Sequence, residues 1–167
     1  AGRARRAEAL GTSERVGNIV RSLAEGAPSP PPGSALLLLD ADGPPRAEDV
    51  LGLTLTDVHL ADALRVVHRQ ADLLVYVYGR DLRYRWNGTP EARADGLEVR
   101  WGDASSALVP WEKVAVFHED PSGGVTRLDE LPRGAFPFTA PPDLGRLVPR
   151  TGPTPPRLAT LCPQRTR

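Results

Sequence analysis

Residues 73–86 read LLVYVYGRDLRYRW, and few backbones suit that run. Its β-branched and aromatic side chains fit a pleated, half-buried surface. Gly79-Arg80-Asp81 interrupts it, so the stretch predicts two strands around a tight turn or bulge at Gly79. Asn87-Gly88-Thr89-Pro90 then stops the run. Leu97 to Trp101 alternates apolar and polar residues, as a half-exposed strand does. Ala107-Leu108-Val109 predicts another strand, residues 110–113 a short bend, and Val114 to His118 a last strand that ends at Asp120–Gly124.

Two helices precede these strands. In residues 58–70, Leu60, Ala63, Leu64 and Val67 recur at helical spacing, with Asp57 placed as an N-cap. In residues 2–25, Leu10, Val16, Ile19, Val20 and Leu23 form one stripe, which Gly26 ends. Between the helices lie APSPPPG, a short apolar run from Ala35 to Leu39 consistent with a buried strand, and the breaker DGPP. Most of the eighteen prolines lie outside residues 50–130. The expected organisation is therefore an N-terminal helix (1–26), a Pro-rich linker with a short strand (27–50), a core (51–120), and a Pro/Arg-rich, largely disordered tail (121–167). The fold class expected is α+β. A helix leads into five short strands, all antiparallel by their short connections, which close into a small Sm/SH3-like barrel because closure removes exposed edges.

Charge is balanced overall but uneven along the chain. Residues 1–33 carry a net +2, 34–66 a net −4, 67–120 a net −2 and 121–167 a net +4. Basic ends permit contact with a polyanion without requiring it. The single cysteine, Cys162, excludes an internal disulfide and a multi-cysteine metal site. No stretch approaches ~20 apolar residues, and no charged start leads into an apolar segment, so neither a membrane span nor a secretory signal is expected. A cytoplasmic chain follows as the expectation.

Catalytic signals are sparse. Residues 35–43 end in Asp40-x-Asp42-Gly43, the outline of an aspartate-nucleophile phosphatase motif, but Pro44 stands where that motif has threonine. His59 and His68 are nine apart on one helix and point away from each other, so they cannot share a metal. No phosphate-binding loop, zinc-protease helix or hydrolase elbow occurs. The expectation is no enzyme, no cofactor and no metal.

From Thr56 to Glu119 the order of elements resembles the Sm-like fold, and the bacterial RNA chaperone Hfq in particular. The resemblance rests on Asp57 before the helix, Leu64-Arg65 within it, Gly79 with Leu82 after it, and the Val109…Val114 spacing around the last bend. It implies a helix-capped barrel that assembles edge to edge into a ring, through strands at 97–101 or 113–118, and binds single-stranded RNA. The family's basic pair in the last bend is Trp111-Glu112 here, which moves the expected RNA contacts to other side chains. Arg80, Arg83, Arg85 and Arg100 would meet phosphates, and Tyr84, Trp86 and Trp101 would stack bases, with Trp111 and Lys113 in the bend. The alternative is a protein-interaction or scaffold module without nucleic-acid binding. The stretch LTLTDVHLADALRVVHRQADLLVYV resembles the N-terminal domains of secretins and TonB receptors, and GLEVRWGD…LVPWEKV resembles small PH-like barrels.

Overall fold

The computed structural model describes residues 2–39, 57–78, 89–101, 105–130 and 143–161. In chain order it contains α1 (Gly2–Gly26), β1 (Ala35–Leu39), α2 (Asp57–His68), β2 (Leu74–Tyr78), β3 (Thr89–Ala92), β4 (Gly96–Trp101) and β5 (Ser105–Pro110). A 3-10 turn (Trp111–Lys113), β6 (Val114–Glu119), β7 (Val125–Leu128) and a one-turn α3 (Leu158–Leu161) follow.

The strands form two sheets. The main sheet has the order β2-β1-β6-β7, and the outer sheet the order β3-β4-β5. β1 runs parallel to both of its neighbours, with Leu37 opposite Tyr76 on one side and Val116 on the other. Only β7 is antiparallel, as the hairpin partner of β6.

This corrects the expectation of a helix followed by a closed five-stranded antiparallel barrel. The physical reason is β1. All five residues of Ala-Leu-Leu-Leu-Leu are buried, and no polar residue alternates among them. Such a strand needs apolar cover on both faces and so sits at the centre of a parallel sheet. β6, Val-Ala-Val-Phe-His-Glu, is nearly as two-faced and pairs with β1 rather than with β5. The half-polar strands β3–β5 are left to make a separate layer.

Parallel neighbours need long connections. The chain from β1 to β2 contains α2, and the chain from β2 to β6 contains the whole outer sheet. Helices cover one face of the main sheet. There Ile19, Leu23 and Ala24 of α1 and Leu60, Leu64 and Val67 of α2 meet Leu36, Leu38, Val75, Ala115 and Phe117. The other face, with Ala35, Leu37, Leu39, Tyr76, Val114 and Val116, meets Leu97 and Val109 of the outer sheet, Trp111 and Leu144. α1 approaches β6 closely. A methyl group on Gly26 would lie 2.5 Å from the Phe117 ring, so only glycine allows this contact as it stands.

Two further placements differ from expectation. Residues 35–39 form the short buried strand expected for them, but as the central strand of the main sheet and not as part of a linker. In the segment expected to be a disordered tail, Val125–Leu128 forms β7, and Leu144, Val148 and Leu158 are buried against the core. The 3-10 turn falls on the predicted bend.

Leu37 is 1% exposed and lies in the layer between the two sheets. Leu37→Ala is expected to cost about 3 kcal/mol of unfolding free energy. Urea denaturation checks this, and a loss below about 1 kcal/mol would mean that the two cores are not packed as described.

Candidate functional site

The outer sheet is thin, and its two edges differ. Arg93 N–H donates to the Gly96 carbonyl at 2.8 Å, closing the tight β3–β4 turn. Gly96 therefore turns its backbone groups toward β3. Bonding directions alternate along an antiparallel ladder. Glu91↔Glu98 and Thr89↔Arg100 are thus bonded pairs, whereas Pro90, opposite Val99, aims its nitrogen away from the sheet. That is the position where a strand tolerates proline, and it removes a donor from the β3 edge.

The same alternation fixes β5. Trp111 N–H donates to the Asp95 carbonyl at 3.4 Å, one step beyond the Gly96↔Pro110 pair. Leu97↔Val109 and Val99↔Ala107 are then the bonded pairs. Ser106 and Leu108 turn their backbone groups outward, and Pro110, which closes the strand, hands its carbonyl to the 3-10 turn. Among the described residues no strand pairs with this edge. Leu108 is 47% exposed, and Ser106 and Pro110 are exposed beside it.

Charged side chains of the described residues are mostly committed within the fold. Arg93 reaches Glu91 and Glu98 on the outer face, and the bond to Glu98 raises its pKa. Arg15 donates from Nε and Nη2 to the two carboxylate oxygens of Glu119, both at 2.7 Å, tying α1 to the end of β6. Arg146 pairs with Glu112, and Arg150 with Asp129. In the β6–β7 turn the Ser122 hydroxyl, with the backbone N–H groups of Gly124 and Ser122, holds the Asp120 carboxyl below its ordinary range.

Arg127 is unusual in donating to carbonyls alone. Its Nη1 reaches Gly26 O at 2.7 Å and Pro149 O at 3.1 Å, and its Nη2 reaches Val148 O at 2.8 Å and Gly145 O at 3.1 Å. It thus caps the end of α1 and clasps the 145–149 segment. Burial, with Arg150 nearby, pushes its pKa down to about 10, so it stays charged at neutral pH. It walls an open cavity of about 540 Å³, with Asp129, Glu130, Asp143, Arg146 and Arg150 around it. Three arginines and three acids line the space, and the four terminal-nitrogen donors of Arg127 are already used, so the cavity favours neither ion sign.

Of the residues expected to bind RNA, four lie among the described ones. Arg80, Arg83, Tyr84, Arg85 and Trp86 lie outside the described residues. Arg100 and Trp101 stand in β4, opposite Ser106 and Ser105. Trp111 is 2% exposed, and its indole N–H donates to the Arg93 carbonyl at 2.9 Å, so it is a core residue and presents no ring for stacking. Lys113 donates to the Pro32 carbonyl at 3.1 Å. The strands expected to join a ring are interior ones: β4 lies between β3 and β5, and β6 between β1 and β7. Neither offers a free edge. No cluster of metal-ligating side chains occurs among the described residues, and no helix among them is long and apolar enough to cross a membrane. Leu108, Ser106 and Arg127 were not singled out by their sequence. The missing signal for the first two was Pro90, which marks one edge as closed and so directs attention to the other.

No protein-family model, curated protein or solved structure matches the chain.

Two expectations follow. Arg127→Ala should speed tryptic cleavage at Arg146 and Arg150. Arg127→Lys should not restore protection, because an ammonium cannot span four carbonyls in a fixed fork; unchanged cleavage in both variants would argue against the clasp. His68 adds a pH dependence. Burial holds its pKa below the ordinary 6.5, against an opposing bond to the Pro28 carbonyl, and its Nε2 has no hydrogen-bond partner. The unfolded chain therefore takes up this proton first as pH falls. The stability His68 contributes is complete above pH 6.5 and is lost as pH drops through the folded value. His68→Phe should flatten the unfolding midpoint between about pH 7 and 5, and an equally steep profile in that variant would assign the slope to another group.

Proposed function

We propose that this chain is a protein-interaction module that takes up a partner at the β5 edge of its outer sheet and does not bind nucleic acid. The observation that carries this reading is the contrast between the two edges. β3 is closed by Pro90, whereas β5 keeps outward backbone groups beside a half-exposed leucine. Unpaired edges are normally guarded by charge, proline or cover. Ser106, Ala107, Leu108 and Val109 carry no such guard, and Pro110 marks only the end of the strand. Strand addition is a common mode of peptide recognition and uses this kind of edge.

The same residues weigh against RNA. Arg93, Arg127, Arg146 and Arg150 are engaged with protein groups, and Trp111 is inside the core. The test is a titration of the full chain with labelled poly(A) and poly(U) between about 50 and 200 mM salt. No salt-dependent shift is expected. Binding that weakens steeply across that range, as release of counterions requires, would overturn the reading.

A further inference from the structure

We infer that the occupant of the β5 edge is an extended segment of another protein, about five residues long, with apolar side chains at its three central positions. This rests on the interaction-module reading and specifies its partner.

The length follows from the outward groups. Ser106 and Leu108 each offer an N–H and a carbonyl, whereas Pro110 has no N–H and its carbonyl, at the N-cap of the 3-10 turn, already accepts the first bond of that turn. A strand bonded to both and laid along Ser106–Pro110, up to where the edge ends, spans five residues. Beyond Pro110 the 3-10 turn Trp111–Lys113 leads the chain away from the edge, which ends the platform. The residues opposite Ser106 and Leu108 exchange two bonds each and cannot be proline.

The chemistry follows from the two faces. In an antiparallel pair, residues opposite one another lie on the same face. The central residue of the segment sits beside Leu108 on the outer face, where 47% exposure leaves apolar surface to cover. Its two neighbours sit beside Ala107 and Val109 on the inner face, which is buried at Val109 and half-buried at Ala107. Small or β-branched residues fit there. The carboxylates nearest this edge on the outer face, Glu91 and Glu98, are already bridged by Arg93, so no charge is demanded of the segment.

A second copy of the chain is a poorer occupant. A six-residue strand is about 20 Å long. Pairing two such edges buries well below the ~1,200 Å² that stable interfaces begin with. A flexible segment can instead bury side chains on both faces of the edge without bringing two folded bodies together.

The test is selection of a random twelve-residue peptide library displayed on phage against the full chain, followed by titration of the synthetic consensus peptide. Enrichment of three consecutive apolar or β-branched residues is expected. Leu108→Pro repeats at β5 what Pro90 does at β3 and removes one outward donor. It should weaken the consensus peptide by at least about fivefold. Leu108→Lys keeps the backbone donor and places a guarding charge at the edge, and it should weaken binding as well. Val66→Ser, exposed on α2 and remote from the edge, should leave affinity unchanged, and thermal melts check that all three variants stay folded. Consensus peptides insensitive to both Leu108 variants would overturn the edge assignment while leaving an interaction module elsewhere on the chain. Failure to enrich any peptide would overturn the proposal. A doubling of mass with concentration that Leu108→Lys abolishes would replace the partner segment with a second copy.

Discussion

Five consecutive apolar residues with no polar face set the terms for everything else in this molecule. A strand such as Ala35–Leu39 cannot border water on either side, so it requires two layers of cover and two flanking strands. α1 and α2 supply one layer, and the outer sheet with Trp111 and Leu144 the other. Each leucine withdrawn from water contributes about 2 kcal/mol, and β1 concentrates four of them in one strand. The neighbours β2 and β6 are chosen by the same logic, since none of their described side chains is exposed on either face. The more polar strands β3, β4 and β5 are then free to pair among themselves, which is why the chain contains a three-stranded sheet with real edges.

Polar ties hold the layers in register. Glu119 is 1% exposed and would be costly alone, but Arg15 meets both of its oxygens. Removing one partner from such a pair typically costs more than the pair contributes, because a buried charge is left behind. Arg127 solves a different problem. The end of a helix leaves carbonyls without partners, and a guanidinium there satisfies one of them while matching the helix dipole. The same group gathers three carbonyls from residues 145–149, so the C-terminal segment is anchored to the end of the first helix by a single side chain.

Local patterns made much of the chain legible. The stripes of α1 and α2, the alternation of β4, the apolar run of β6 and the bend at 110–113 each follow from nearest-neighbour spacing, and the element each predicts is present. Strand order is another matter. β1 and β6 are far apart in sequence, and the prolines on either side of residues 35–39 made that strand read as part of a linker. Its unbroken apolar composition was the contrary signal, since alternation is what a barrel strand shows and β1 has none. β7 was missed because Val-Thr-Arg-Leu is short, and β3 because Thr-Pro-Glu-Ala contains a proline that only an edge tolerates. The aromatic residues were ambiguous by type alone. Trp111 suits a stacking surface and a core equally well, and only its 2% exposure decides between them.

The central position of β1 also bears on how the chain reaches its native state. Its partners β2 and β6 begin roughly 40 and 80 residues later in the chain. At typical synthesis rates of about 5–20 residues per second, four adjacent leucines wait on the order of 4–16 s before β6 has been made. Contacts this distant slow folding because a long loop must close first. Until β2 is made, about halfway through that interval, the most apolar strand of the protein has neither flank, and the sequence sets prolines on both sides of it, at 28 and 30–32 and at 44–45, a residue type that limits how far such a segment can pair. The prolines that disguise β1 in the sequence thus stand where gatekeeper residues flank an unavoidable apolar strand, at the segment on which the fold is built.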